Sequence, residues 1–200
     1  MPKTRIAELR KREILTHLHE LIVQEGLEGA SMTKVAKRME VNSSLLFHYF
    51  PTKDAALSAL INQLLEHYER HFVPMLEGQP DAGARFSKVL EALFSPEWDA
   101  LTEGRVFYSC YPLIFREAEI KRRFQQLFAQ FHAHLVQELE RARQHGLIKV
   151  EDPALAAHLI ISMVEGINFY ENILSAPELV EAQYAAFRRL VMQALRAGVV

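Results

Sequence analysis

The chain has 200 residues, half of them hydrophobic, with 23 Lys+Arg against 25 Asp+Glu and a formal net charge of −2. That length and apolar fraction allow a sizeable core and exclude a disordered chain, while the near-neutral balance excludes a general polycationic coat for nucleic acid. The single cysteine, Cys110, excludes an internal disulfide framework and fits a reducing compartment.

The opening residues, MPKTRIAELRKRE, are basic and lack the apolar run of a signal peptide. The most apolar stretch, Leu159 to Val164, is too short to span a bilayer. A cytoplasmic chain with no membrane partner is therefore expected. Residues 2–5 read as a short arm in which Lys3 and Arg5 could reach phosphates, or simply a solvated end. A first helix is expected from about Ile6 to Gln24, because Ile6, Leu9, Ile14, Leu18, Leu21 and Ile22 recur at helical spacing. Gly26 is expected to end it in a left-handed cap.

Next comes SMTKVAKRMEVNSSLLFHYFPTKDAAL, Ser31 to Leu57. Ser31 suits an N-cap, and Val35, Ala36 and Met39 then share one helical face. Glu40 and Val41 make a turn. Asn42 or Ser43 caps a second short helix on which Leu46, Tyr49 and Phe50 face inward. Pro51 stops it, since the residue before a proline is pushed out of the α region. Thr52 caps a further helix opened by Lys53 and Asp54. Two short helices joined by a tight turn and locked to a third place a helix in the major groove of DNA. Charge runs the same way: residues 1–55 balance to +2 and residues 56–200 to −4.

Thr33, Val35, Ala36, Val41, the run Phe47-His48-Tyr49-Phe50, Lys53, Asp54 and Leu57 together resemble the N-terminal signature of the TetR family of bacterial one-component transcription regulators. Beyond that stretch only length and helical character match. The resemblance implies an all-α fold: a three-helix helix-turn-helix DNA-binding domain over 1–55, then a helical ligand-binding and dimerisation domain over 56–200. It also implies that ligand binding shifts the helix connecting the two. The residues expected at base edges are Asn42, Ser43, Ser44 and Leu45, with His48, Tyr49, Lys53, Thr33 and Lys37 toward the backbone. Taken singly, each could equally be a cap, a surface group or a core aromatic. The chain departs from the family at Glu40, where glycine is common. It departs also at Ser43-Ser44-Leu45, where a Lys-Gly-Thr-like trio is common, and at Phe47, where tyrosine is common. An operator sequence therefore does not carry over.

The connecting helix is expected from Lys53 to Phe72, carrying Leu57, Leu60, Ile61, Leu64, Leu65, Tyr68 and Phe72, and ended by Pro74. Glu77 to Gly83 reads as a loop, with Asp81 capping a helix to about Phe94. Ser95-Pro96 starts a short helix that Gly104 breaks. Val106, Phe107, Tyr108, Cys110, Tyr111, Leu113, Ile114 and Phe115 then crowd together around Pro112. Such a cluster lines a ligand site or fills a core. The pocket candidates are Trp98, Tyr108, Tyr111, Phe128, Phe131, His132, Met163, Asn168 and Tyr170. A long helix follows from Ala118 to His145, capped by Gly146 and carrying the basic triplet Lys121-Arg122-Arg123. Asp152-Pro153 opens another, apolar on more than one face, to Leu174. Ser175 and Pro177 open the last. Excess apolar surface on these two is expected to pair with a second copy through Ile160, Val164, Ile167, Tyr184, Phe187 and Val191.

These features point to a homodimeric repressor of a pseudo-palindromic double-stranded DNA operator, released by a small, largely apolar effector, with no cofactor and no metal. An enzyme is not expected: His67 and His71 lie at i, i+4, but no HExxH, CxxC or Gly-rich phosphate loop accompanies them. The alternative is a helical protein-interaction module that has lost sequence-specific DNA binding, for which the acidic Glu40 is the main argument.

Overall fold

The computed structural model describes residues 3–77, 81–96, 98, 108, 111–174 and 177–199. All its regular structure is helical: α1 Lys3–Gly29, α2 Met32–Arg38, α3 Ser43–Tyr49, α4 Lys53–Glu77, α5 Ala82–Leu93, α6 Ala118–Gln144, α7 Pro153–Leu174 and α8 Pro177–Ala197. The chain divides into two compact units, Met1–Glu66 with Arg105–Phe124, and His67–Gly104 with Gln125–Val200.

In the first unit α1, α2 and α3 pack on one another. Ile14, Leu18 and Ile22 of α1, Val35 and Ala36 of α2, Leu46 and Phe50 at α3, and Leu57, Leu60 and Ile61 of α4 are buried. Three expectations for this region are corrected. The arm expected over 2–5 is helical from Lys3 onward. Ile6 and Leu9 are exposed, because the buried face at Ile14, Leu18 and Leu21 runs back through Ala7 and Lys11 on a 3.6-residue period. Gly26 does end the first stretch of α1, but at φ 76° and ψ 170° rather than in a left-handed α cap, and a further helical turn follows before Ala30. The Ala30 N–H closes that turn on the Gly26 carbonyl at 3.1 Å. Only glycine takes such a pair of angles at no steric cost.

α4 continues three residues past Pro74, which corrects the expected stop. A proline removes one donor and strains one turn, but a helix already propagating needs few further bonds to finish. The side chains of Leu65, His67, Tyr68, His71 and Phe72 lie outside the described residues, as do Gly104, Val106, Phe107, Cys110 and Ser175. Tyr111 meets Tyr108 edge to face at 5.3 Å and Phe124 at 5.8 Å within the first unit. Of the basic triplet, Arg122 and Arg123 both pair with Glu119, and Lys121 is exposed.

The second unit is built on its caps. Asp81 accepts from the Ala84 N–H at 2.8 Å, and Asp152 accepts from Ala154 and Leu155 at 2.9 and 3.0 Å. Gly146, at φ 69°, lets the chain leave α6 while Leu147 N–H bonds the Ala142 carbonyl at 2.9 Å. The core takes Phe86, Val89, Leu93 and Phe94 from α5 and its end, Phe131, Leu135 and Leu139 from α6, Ile160, Val164 and Ile167 from α7, and Tyr184, Val191 and Leu195 from α8. Two polar links run through it. Glu138 takes Arg85 in a two-pronged pair at 2.7 and 2.8 Å. The Tyr184 hydroxyl donates to the Asn168 Oδ1 at 2.7 Å.

Candidate nucleic-acid interface and ligand site

The helix-turn-helix is held by three side-chain caps. The Ser31 hydroxyl accepts from the Lys34 N–H at 3.2 Å, Asn42 Oδ1 accepts from Ser44 at 2.9 Å, and the Thr52 hydroxyl accepts from Ala55 at 3.0 Å. Each is worth about 1 kcal/mol against alanine. Phe50, before Pro51, is extended at φ −134° and ψ 99°, so α3 ends at Tyr49.

The turn itself is the unusual element. The Glu40 N–H bonds the Lys37 carbonyl at 3.2 Å and the Val41 N–H bonds that of Ala36 at 3.0 Å. This paired stop needs a left-handed residue, and Glu40 takes that place at φ 56°. Among the described residues no other non-glycine has a positive φ. The left-handed region costs an ordinary residue about 1–2 kcal/mol. Glu40→Gly is therefore expected to stabilise the head by several tenths of a kcal/mol, once the extra freedom of the unfolded glycine is offset. Glu40→Gln keeps the strain and should leave stability unchanged. Both remove a negative charge beside α3 and should raise DNA affinity at low salt. Urea denaturation and binding titrations at several salt concentrations separate the two effects.

The residues expected at DNA differ in exposure. Thr33, Lys37, Asn42, Ser44 and His48 are exposed, and Ser43, Leu45 and Tyr49 are half-buried. The His48 and Tyr49 rings meet edge to face at 5.3 Å. Lys53 is placed differently: its ammonium donates to the Leu27 and Ala30 carbonyls at 2.5 and 2.6 Å, tying the α1–α2 link to the start of α4. Lys34 and Arg38 are engaged too, Lys34 with Glu25 and the Gly29 carbonyl, Arg38 with Gln24 and Glu20. Lys37 thus remains the α2 cation with no such partner among the described residues.

A family model described as "Bacterial regulatory proteins, tetR family" matches residues 14–60, and one described as "Tetracyclin repressor-like, C-terminal domain" matches residues 82–197. The chain belongs to the TetR family. It is 30% identical to the nucleoid occlusion factor SlmA of Vibrio campbellii, covering 78% of this chain and 81% of that one. It is 23% identical to the HTH-type transcriptional regulator BetI of Rhizobium meliloti, covering 99% and 95%. A transcriptional regulator of Saccharomonospora viridis, crystallised with choline, shares the fold with a TM-score of 0.80 at 15% identity, over 94% of this chain and 95% of that one. This TetR-family chain is accordingly a helix-turn-helix transcriptional regulator and not an enzyme. No helix among the described residues is long and apolar enough to cross a membrane, and none of their His, Cys, Asp and Glu groups is arranged to hold a metal.

The nine pocket candidates of this TetR protein fall in both units. Tyr108 and Tyr111 belong to the first unit. Trp98 and Phe131 are buried against each other at 5.0 Å, in the core of the second, where Phe128 and Met163 pack at its edge. Asn168 is held by Tyr184. His132 stacks on His158 at 4.0 Å and reaches the Ala154 carbonyl at 3.0 Å. Tyr170 is exposed. The six residues expected at a dimer interface are also inward: Ile160, Val164, Ile167, Tyr184 and Val191 are buried within the single chain, and Phe187 packs against them. A second face was not read from the sequence. Leu155, Leu159, Phe169 and Tyr170 on α7, with Leu179 and Leu190 on α8, are exposed. Leu155 and Leu159 are four residues apart, and Phe169 and Tyr170 follow Leu159 by 10 and 11, about three turns; that period was the available signal, masked by the apolar residues between them.

Proposed function

We propose that the protein is a homodimeric repressor whose two heads read a pseudo-palindromic operator, and that a small molecule bound in the second unit releases it. The observation that carries this reading is the pair of exposed apolar rows on α7 and α8. A row of leucines and aromatics left in water on two adjacent helices is best covered by the same row of a second copy, in a two-fold four-helix contact. Such a dimer sets two copies of α3 at a fixed separation, and a molecule that favours a different separation lowers DNA affinity. Choline in the Saccharomonospora protein shows that a regulator of this fold holds a small ligand.

Within the head, 1–55, the proposed readers are Asn42, Ser43, Ser44 and Leu45, with Thr33, Lys37, His48 and Tyr49 on phosphates. Lys53 acts through the backbone it holds. Asn42 has two duties, since its Oδ1 caps α3 and its amide can still offer a donor and a second lone pair to adenine. Asn42→Ala should lose about 1 kcal/mol of stability with the cap, as well as operator affinity. Asn42→Ser keeps the cap and should weaken operator binding about tenfold or more, by the loss of a bidentate base contact. The measurement is a titration of the DNA flanking the protein's own gene, at several salt concentrations, against a scrambled duplex. Equal affinity for both duplexes would remove the repressor reading and favour a protein-interaction module. Unchanged affinity in Asn42→Ser would remove Asn42 from the readers.

A further inference from the structure

The second unit holds a cleft of about 650 Å³ between α5 with its C-terminal end and α8. None of the nine aromatic and polar residues singled out above lines it. Its floor is apolar, with Leu90, Ala92 and Met192, and its rim carries Lys88, Arg188 and Arg189. Two carboxylates, Glu91 and Glu181, sit on the same rim, but they stand 3.9 Å from Lys88 and 3.8 Å from Arg188 respectively. Exposed pairs that long contribute little and are readily exchanged for a better partner. Arg188 is half-buried and fixed by a 3.1 Å bond to the Phe94 carbonyl, so one edge of its guanidinium is already positioned. Arg189 is exposed, with no ion pair among the described residues. Three cations against two carboxylates leave one positive charge in excess, in a part of the chain whose own balance is −4.

We propose that this cleft binds an amphiphilic monocarboxylate, its head between Arg188, Arg189 and Lys88 and its apolar body on Leu90, Ala92 and Met192. One excess charge is neutralised by a monoanion. A cation meets like charge, and a dianion leaves a negative surplus in a half-apolar site. The volume lies in the range that small organic ligands occupy, and a guanidinium matches a planar carboxylate with two parallel bonds. The cleft uses the Glu181–Arg188–Met192 face of α8, while Leu179 and Leu190 lie on another face of the same helix. A ligand that draws Arg188 and Arg189 inward therefore acts on the helix proposed to pair the two copies. The release of DNA by such a ligand rests on the effector reading above; the binding does not.

The test uses the full chain, with octanoate as probe and octanol as its uncharged counterpart, both followed by calorimetry. Octanoate is expected to bind at least tenfold tighter than octanol, and more weakly as salt rises. In the Lys88→Gln/Arg189→Gln double variant, octanoate should lose at least tenfold in affinity while octanol is unchanged. Octanol binding as well as octanoate, no octanoate binding at millimolar concentrations, or an unchanged double variant would each overturn the proposal. Adding octanoate to the protein–DNA complex separates the two readings. Release over the concentrations that fill the cleft supports both, and binding without release keeps the cleft but overturns its role as effector site.

Discussion

Replacing Glu138 by alanine is expected to lower the unfolding free energy by about 3 kcal/mol, at the low end of the range for breaking a buried ion pair. The carboxylate is 7% exposed and receives Arg85 through two bonds at 2.7 and 2.8 Å, with Arg141 at 3.0 Å on its outer side. Arg85 is itself only 22% exposed, so the variant leaves a guanidinium facing an apolar hole where a carboxylate stood. Arg141 is 52% exposed and matters less. Arg141→Ala should cost well under 1 kcal/mol. The informative variant is the pair Arg85→Met with Glu138→Leu. Removing both charges removes both desolvation penalties, so this double variant should recover most of what Glu138→Ala loses. Urea denaturation followed by circular dichroism supplies all three values. A loss below 1 kcal/mol for Glu138→Ala would mean that water reaches the pair and that α5 and α6 are held by apolar contacts alone.

Glu138 also shows where reading a sequence in one dimension fails. It stands in the apolar register of α6, among Leu135, Leu139 and Ala142, where a charge needs a partner. Its partner, Arg85, is 53 residues away in the chain. Local signals were sufficient for the head. Ser31, Asn42 and Thr52 announce helix starts because a cap is a bond within two or three residues, and Pro51 acts on its immediate neighbour. The fold class came from the resemblance that these residues carry to the TetR signature. Pro74 misled for a related reason: a proline disrupts a helix locally, but α4 runs on to Glu77.

The site was less legible than the fold. The spacing around α3 placed Thr33, Lys37, Asn42, Ser44 and His48 on an exposed surface, since a helix face follows from period alone. It could not show that the Lys53 ammonium is taken up by two carbonyls of the α1–α2 link. In the second unit the aromatic residues were the loudest signal, and Trp98 and Phe131 among them lie in the core. A cleft is made by what two distant segments leave unfilled. Nothing in Lys88 or in Arg188-Arg189, read alone, reports that they face a common space.

The same difference between inner and outer faces is what tests the proposed dimer. Leu190→Asp is expected to abolish the dimer at micromolar concentrations while leaving the monomer's stability nearly intact, because Leu190 is 53% exposed in the single chain. In a two-fold contact each substitution acts twice. Two lost leucines, at about 2 kcal/mol each, come to roughly 4 kcal/mol, near a thousandfold in dissociation constant before the charge is counted. Operator affinity should fall by about two orders of magnitude or more, since a lone head forgoes the effective concentration that a tethered second head provides. Leu159→Asp, on the matching row of α7, should behave alike. Val164→Ala is the contrast: that side chain is fully buried within the chain, so its loss should lower stability by about 1–2 kcal/mol and leave the dimer in place. Sedimentation, denaturation and DNA titration on the three variants distinguish the faces. If Leu190→Asp remained dimeric with operator affinity unchanged, the exposed rows would not be the contact. The heads would then have to be paired through another surface, and α8 would no longer link the cleft to DNA binding.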